Sequence, residues 1–169
     1  MIDSRCDKVR IIDELVIGKA RADIVTVTKF LTGYEIKGDT DSYTRLPAQI
    51  KEYDRYFQKN YLVVGSSHKK SAAAHLPAHW GILCAVQAET GICFECLRKP
   101  TDNPKFSIKK QLALLWRREL VGIAQANKQP KYSGKSKAHI RGCLLQTVPH
   151  DLLGEQICEE LFERDWTTF

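Results

Sequence analysis

Residues 33–64, GYEIKGDTDSYTRLPAQIKEYDRYFQKNYLVV, decide the fold because their apolar period changes twice. Gly33 to Ile36 reads as a buried strand. From 39 to 59, Leu46, Ile50, Tyr53 and Phe57 recur at spacings of 4, 3 and 4, which is helical. Pro47 suits the first turn of that helix, with Thr44 or Ser42 as its cap. The run YLVVGS (61–66) is continuously apolar, as in a buried central strand. Inside the first strand, Glu35 and Lys37 stand two residues apart and so share a face. Buried charge is costly unless it is paired or coordinated. The two charges are therefore a structural ion pair or part of a site.

Upstream, VRIIDELVI (9–17) and ADIVTVT (22–28) read as two further strands, separated by the tight turn GKAR. A second turn, 29–32, leads into the third. Such short connections predict an antiparallel meander. Downstream, HKKSAAAHLPAHW reads as a short helix stopped by Pro77. GILCAVQ and GICFECLRKP read as two more strands. Beyond Pro104 the pattern turns helical. A long amphipathic helix is predicted over 107–128, with Ile108, Leu112, Leu115 and Leu120 on its apolar side. The loop QPKYSGKSK follows, and then two helices around PHD. The order βββαβαββ followed by helices predicts an α/β core over residues 1–104 and a helical C-terminal extension over 105–169, packed on the core.

Composition narrows the class. The chain has 169 residues, 43% hydrophobic and 27% charged, as in an ordinary soluble domain. No apolar run approaches the roughly 18 residues of a membrane span, and MIDSRCDKVR lacks the apolar core of a signal peptide. A cytoplasmic protein is expected. The six cysteines are Cys6, Cys84, Cys93, Cys96, Cys143 and Cys158. The single CxxC at 93–96 lacks the second ligand pair that structural zinc generally needs. Reduced, mostly buried thiols are expected. The net charge of +6 is unevenly spread. Residues 66–150 hold 14 basic and 4 acidic side chains, and residues 151–169 hold 1 basic and 6 acidic. A positive middle segment suits a polyanion such as nucleic acid, or is a solvated lysine-rich surface.

The chemistry gathers on the first three strands. Glu14 lies on the first, Asp23 opens the second, and Glu35 and Lys37 lie on the third. Gln49 and Tyr53 sit one turn apart on the following helix. Meander neighbours lie within about 5 Å, so Asp23 and Glu35 converge. Two such carboxylates repel unless a proton or cation lies between them. Mg²⁺ accepts one or two carboxylates and keeps several waters, and the Ile36 carbonyl offers another oxygen. A lysine beside it would orient water or counter phosphate charge. The set suits metal-dependent phosphodiester hydrolysis.

Asp23, Glu35-x-Lys37 and Gln49-x₃-Tyr53 in βββαβ order resemble the PD-(D/E)XK nuclease superfamily. The blocks RADIV, GYEIKGDTDSYTRLPAQIKEY, VVG, HWGI, RKP and LLWRRE further resemble a family of small bacterial and phage proteins assigned to that fold, from about residue 10 to 166. The resemblance implies a restriction-endonuclease-like core, a mixed sheet with a flanking helix. It implies Mg²⁺, with Mn²⁺ substituting, held by Asp23, Glu35, the Ile36 carbonyl and Glu14. Lys37 would position the attacking water and Gln49 would orient Lys37 or the water. Arg21 and Arg45 become candidate phosphate contacts. The substrate would be nucleic acid, DNA foremost, in repair, recombination, phage or defence. Ala22 stands where the superfamily usually has proline. Only about eight residues precede the first strand, too few for the customary first helix, and Glu14 is the candidate to replace its acid.

Other readings compete. Glu35 and Lys37 alone would be a cross-strand ion pair, and Glu14 a solvated strand acid. The chain could be a non-catalytic DNA-binding subunit of a larger assembly, or a toxin nuclease, alone, as a homodimer or with a partner protein. His75 and His79 are spaced i, i+4, but Pro77 lies between them and argues against zinc. Tyr53, Trp80 and Trp116 are assigned to the core. The loop lysines Lys128, Lys131, Lys135 and Lys137 are assigned to backbone phosphates, and the acidic final helix argues against its entering a DNA groove.

Overall fold

The computed structural model describes residues 8–89 and 91–167. Among these described residues, six strands form one mixed sheet in the spatial order β1-β2-β3-β4-β5-β6. They are β1 (Arg10–Ile17), β2 (Ala20–Val27), β3 (Leu31–Lys37), β4 (Lys59–Val64), β5 (Gly81–Ala88) and β6 (Gly91–Arg98). The α-helices described are α1 (Leu46–Tyr56), α2 (Ile108–Gln111), α3 (Arg117–Ala126), α4 (Lys137–Thr147) and α5 (His150–Glu163). The chain forms two compact units. Among the described residues, one comprises Ile11–Thr26 and Leu31–Phe106, the other 8–10, Val27–Phe30 and 107–167.

The first unit carries the sheet and α1. The β1–β2 turn is only Gly18 and Lys19, and Gly18 takes φ +59°, which glycine adopts without penalty. β3 pairs parallel with β4, β4 parallel with β5, and β5 antiparallel with β6. Parallel pairing of β3 with β4 requires a long crossover, and α1 provides it. Leu46, Tyr53 and Phe57 are fully buried, as their spacing predicted, while Ile50 is half-buried. The helix comes close because β3 has glycine at 33. A Cβ there would lie 2.3 Å from a Phe57 ring carbon and 2.9 Å from one of Tyr53. Arg45 precedes α1 without any side-chain cap, and Ser42 bonds Thr44 instead.

Two local expectations are corrected. HKKSAAAHLPAHW forms no α-helix but 3₁₀ turns, at Ser66–His68 and Ala72–His75. Its histidines are separately engaged. His68 and His75 pack on Tyr43, at 4.9 and 4.1 Å between ring centres, while His79 is buried against Asp54 at 2.8 Å. Cys93 and Cys96 are exposed, because β6 is an edge strand with most of its residues in solvent. Cys84 and Cys158 are buried and Cys143 half-buried, and Cys6 lies outside the described residues.

The second unit is helical, but its first helix is broken. α2 ends at Gln111, a 3₁₀ turn covers Leu112–Leu114, and Leu115 and Trp116 are extended before α3 begins. Leu112, Leu115, Leu120 and Ile123 are all buried, and their spacing of i, i+3, i+8 and i+11 is that of one helical stripe, so the apolar pattern gives no sign of the break. The break is fixed by Glu119, which accepts from the Trp116 amide at 2.6 Å and is held by Arg164 Nε at 2.7 Å and Nη2 at 2.5 Å. Arg164 also lies over the Trp116 ring at 4.4 Å and the Trp166 ring at 4.6 Å. Trp80 is fully buried, whereas Trp116 is half-buried beneath the Arg118 and Arg164 guanidiniums. Among the described residues no helix is long and apolar enough to cross a membrane.

Candidate active site

Leu31, Gly33, Glu35 and Lys37 alternate onto the face of β3 that α1 covers. Glu35 is 1% and Lys37 6% exposed, so both charges are inside the fold. Lys37 Nζ donates to Glu35 Oε1 at 2.6 Å and to Gln49 Oε1 at 3.2 Å. Gln49 Nε2 in turn donates to Glu35 Oε1. Tyr53, one turn further along α1, donates its hydroxyl to Glu35 Oε2 at 2.8 Å. That hydroxyl also accepts from the Asp23 amide at 3.2 Å. The QxxxY spacing thus places both side chains on the helix face above the ExK pair. Tyr53 does more than fill the core: it joins β2, α1 and Glu35. Its spacing from Gln49 was the available signal.

Asp23 approaches from β2. Its Oδ2 accepts from the Ile36 amide at 2.7 Å. The next carbonyl, Lys37 O, accepts from the Gly65 amide on the β4 side at 3.0 Å. A strand residue presents its own N–H and C=O to one edge, and successive residues alternate edges. The Ile36 carbonyl therefore faces the β2 side, where Asp23 lies. The Asp23 carboxylate and the Ile36 carbonyl thus share the β2 side of β3, and Glu35 is near enough to feel the Asp23 charge.

Electrostatics point the same way. Burial raises the Glu35 pKa above the ordinary glutamate value and the nearby Asp23 charge adds to it, against the opposing hydrogen bonds from Lys37 and Tyr53. Burial and the Glu35 charge likewise push the Tyr53 phenol well up, so it stays a donor. A folded-state pKa raised in this way means that the native state holds the proton more tightly than the unfolded chain. The resulting stability is fully present below the unfolded glutamate value and is lost as pH rises through the folded one. In EDTA the Tm should fall across that window, and Glu35→Gln should remove the step. An identical pH profile in both proteins would assign the step to another group.

Glu14 is the exception among the acids. It has φ +55°, and Asp13 and Glu14 are both exposed between buried Ile12 and Leu15. Two consecutive outward residues and a left-handed one are the geometry of a β-bulge. The bulge turns Glu14 to solvent, where it pairs with Arg21 at 3.1 Å, both side chains being more than 60% exposed. It does not join Asp23 and Glu35, and among the described residues no three His, Cys, Asp or Glu side chains group to hold a metal. The donor set is two carboxylates and one carbonyl. That still fits Mg²⁺, which takes few protein ligands and keeps its waters. Glu35 has three donors on roughly four lone-pair sites, and Asp23 Oδ1 adds further acceptor capacity.

Arg45 is exposed immediately before α1. Lys128, Lys131, Lys135 and Lys137 are exposed in the other unit, in and beside the α3–α4 connection. That connection is pinned by Arg117, which donates to the Tyr132 carbonyl at 2.9 Å and to the Lys135 carbonyl.

No curated protein and no solved structure matches this chain. The model of the family described as bacteriophage P4 protein cII matches residues 2–164, and the chain belongs to that family.

Proposed function

We propose that this phage P4 cII family member is a metal-dependent nuclease that hydrolyses phosphodiester bonds in DNA, in the cytoplasm, on a restriction-endonuclease-like core. The observation that carries the reading is the buried Glu35–Lys37–Gln49 network with Asp23 drawn to the Ile36 amide beside it. A structural ion pair alone gives no reason for a second carboxylate close enough to raise the first one's pKa. The order β1β2β3, α1, β4 and the mixed sheet support the core assignment.

Asp23, Glu35 and the Ile36 carbonyl would hold Mg²⁺, with Mn²⁺ substituting. The ion would supply Lewis-acid stabilisation of charge on the phosphoryl oxygens. Lys37 has three N–H donors, of which Glu35 and Gln49 take two. The third is available to hold an attacking water in line with phosphorus or to hold a phosphate oxygen. Gln49 fixes the ammonium and Glu35 together, so Lys37 is already oriented when substrate arrives. Tyr53 keeps the glutamate from rotating.

Single-stranded, double-stranded and branched DNA, and RNA, should be incubated with the protein and Mg²⁺ or Mn²⁺. We expect cleavage of a DNA form that EDTA stops. Salt-sensitive binding with every substrate left intact would replace the nuclease with a non-catalytic DNA-binding protein.

A further inference from the structure

We propose that the segment Gly65–Ser71 is a phosphate-binding loop for the nucleic acid strand beside the scissile bond, acting through Lys70 and Ser66. The inference rests on the nuclease reading, and it names how the substrate is held. β3 and β4 run parallel and in register to their last residues, Lys37 opposite Val64. Ligands of open α/β sheets gather at the carboxyl ends of such strands. The loop starts at that end, with the Gly65 amide bonded to the carbonyl of Lys37 itself. A neighbouring strand lies only about 5 Å away, so a backbone held at Lys37 passes the loop with its next phosphates.

The loop is held on two sides before any ligand arrives. Asp39, two residues past Lys37, accepts from the Ser67 amide at 2.8 Å, and its carbonyl accepts from Ser67 Oγ at 3.1 Å. Gly65 is needed for this closure, since a Cβ there would lie 2.3 Å from Asp39 Oδ1. On the other side Lys69 bonds Glu95 of β6 at 2.6 Å. His68 is packed against Tyr43. What these ties leave over is specific. Ser66 and Lys70 are exposed, and among the described residues their side chains have no hydrogen bond or ion pair, the Ser66 carbonyl alone accepting from the Lys69 amide. The sequence GSSHKKS contains no acid, and the one nearby carboxylate of the β3–α1 connection that touches it, Asp39, is spent on Ser67. A hydroxyl and an ammonium on a fixed loop are donors for phosphate oxygens, and such contacts position a strand without reading its bases.

The test is binding of a labelled DNA duplex, and of its single strand, in EDTA over a range of salt, for wild type, Lys70→Ala, Lys70→Arg and Ser66→Ala/Lys70→Ala. We expect Lys70→Ala to weaken binding several-fold and to lower the slope of log K against log salt by about one. Lys70→Arg should restore both, and in cleavage assays the Lys70→Ala loss should fall on KM. A salt slope equal to wild type in the double variant overturns the loop while leaving the nuclease standing if wild type cuts. A lowered slope without any cleavage by wild type keeps the loop and removes the nuclease. Failure of wild type to bind overturns the loop, and the nuclease with it if every substrate also stays intact in Mg²⁺ and Mn²⁺.

Discussion

Lys37→Ala should reduce metal-dependent cleavage by about 10²–10³-fold, the usual effect of removing one well-placed charged donor from a reaction centre. The variant should remain folded. Without the lysine, Glu35 is left buried at 1% exposure with an already raised pKa. A buried carboxyl in that position takes up a proton rather than remaining a bare charge. Circular dichroism should therefore show native structure while the rate is lost. Lys37→Arg should not rescue it, because a planar five-donor fork cannot occupy the ammonium's place between Glu35 Oε1 and Gln49 Oε1. Cleavage by Lys37→Ala at the wild-type rate would remove Lys37 from the chemistry and leave the pair as a structural bridge.

Arg164→Ala should destabilise the helical unit by about 3–5 kcal/mol, the cost of leaving one partner of a buried pair alone. Arg164 and Glu119 have side chains only 3% and 4% exposed. The arginine also donates to the Leu114 carbonyl at 2.9 Å and fills the space between Trp116 and Trp166. Its loss frees Glu119, and Glu119 caps α3 at the Trp116 amide. Urea unfolding followed by tryptophan fluorescence would measure the change, since Trp116 and Trp166 report on this contact. Arg164→Lys should recover only part, having a single point charge for two carboxylate oxygens. In a Glu119→Gln background the cost of Arg164→Ala should shrink, because no carboxylate is left stranded. Additive losses in that cycle would rule out the pair as the source.

The candidate site was legible where spacing alone brings residues together. ExK on a strand and QxxxY on a helix are local periods, and Glu35, Lys37, Gln49 and Tyr53 meet as those periods require. An α/β chain was legible from the same changes of period, whereas the mixed sheet was expected only from the family resemblance. The helix break at Leu115 and Trp116 was not, because apolar residues continue through it. What stops the helix is Arg164, 45 residues beyond the Glu119 it holds. The exposure of Cys93 and Cys96 was equally hidden, since an apolar run does not say whether its strand has one neighbour or two.

The sequence by itself determined the order of the strands and of α1, and the stock of chemical groups: three acids and a lysine on strands that short turns must pair, and an amide on the helix that follows. Only the tertiary structure decided which acids converge. Glu14 has the same residue type and strand context as a ligand would, yet one extra residue in β1 turns it outward to Arg21. Strand side chains alternate with a period of two, so a single-residue bulge moves a carboxylate from one environment to the other, and that register is set by pairing with a neighbouring strand.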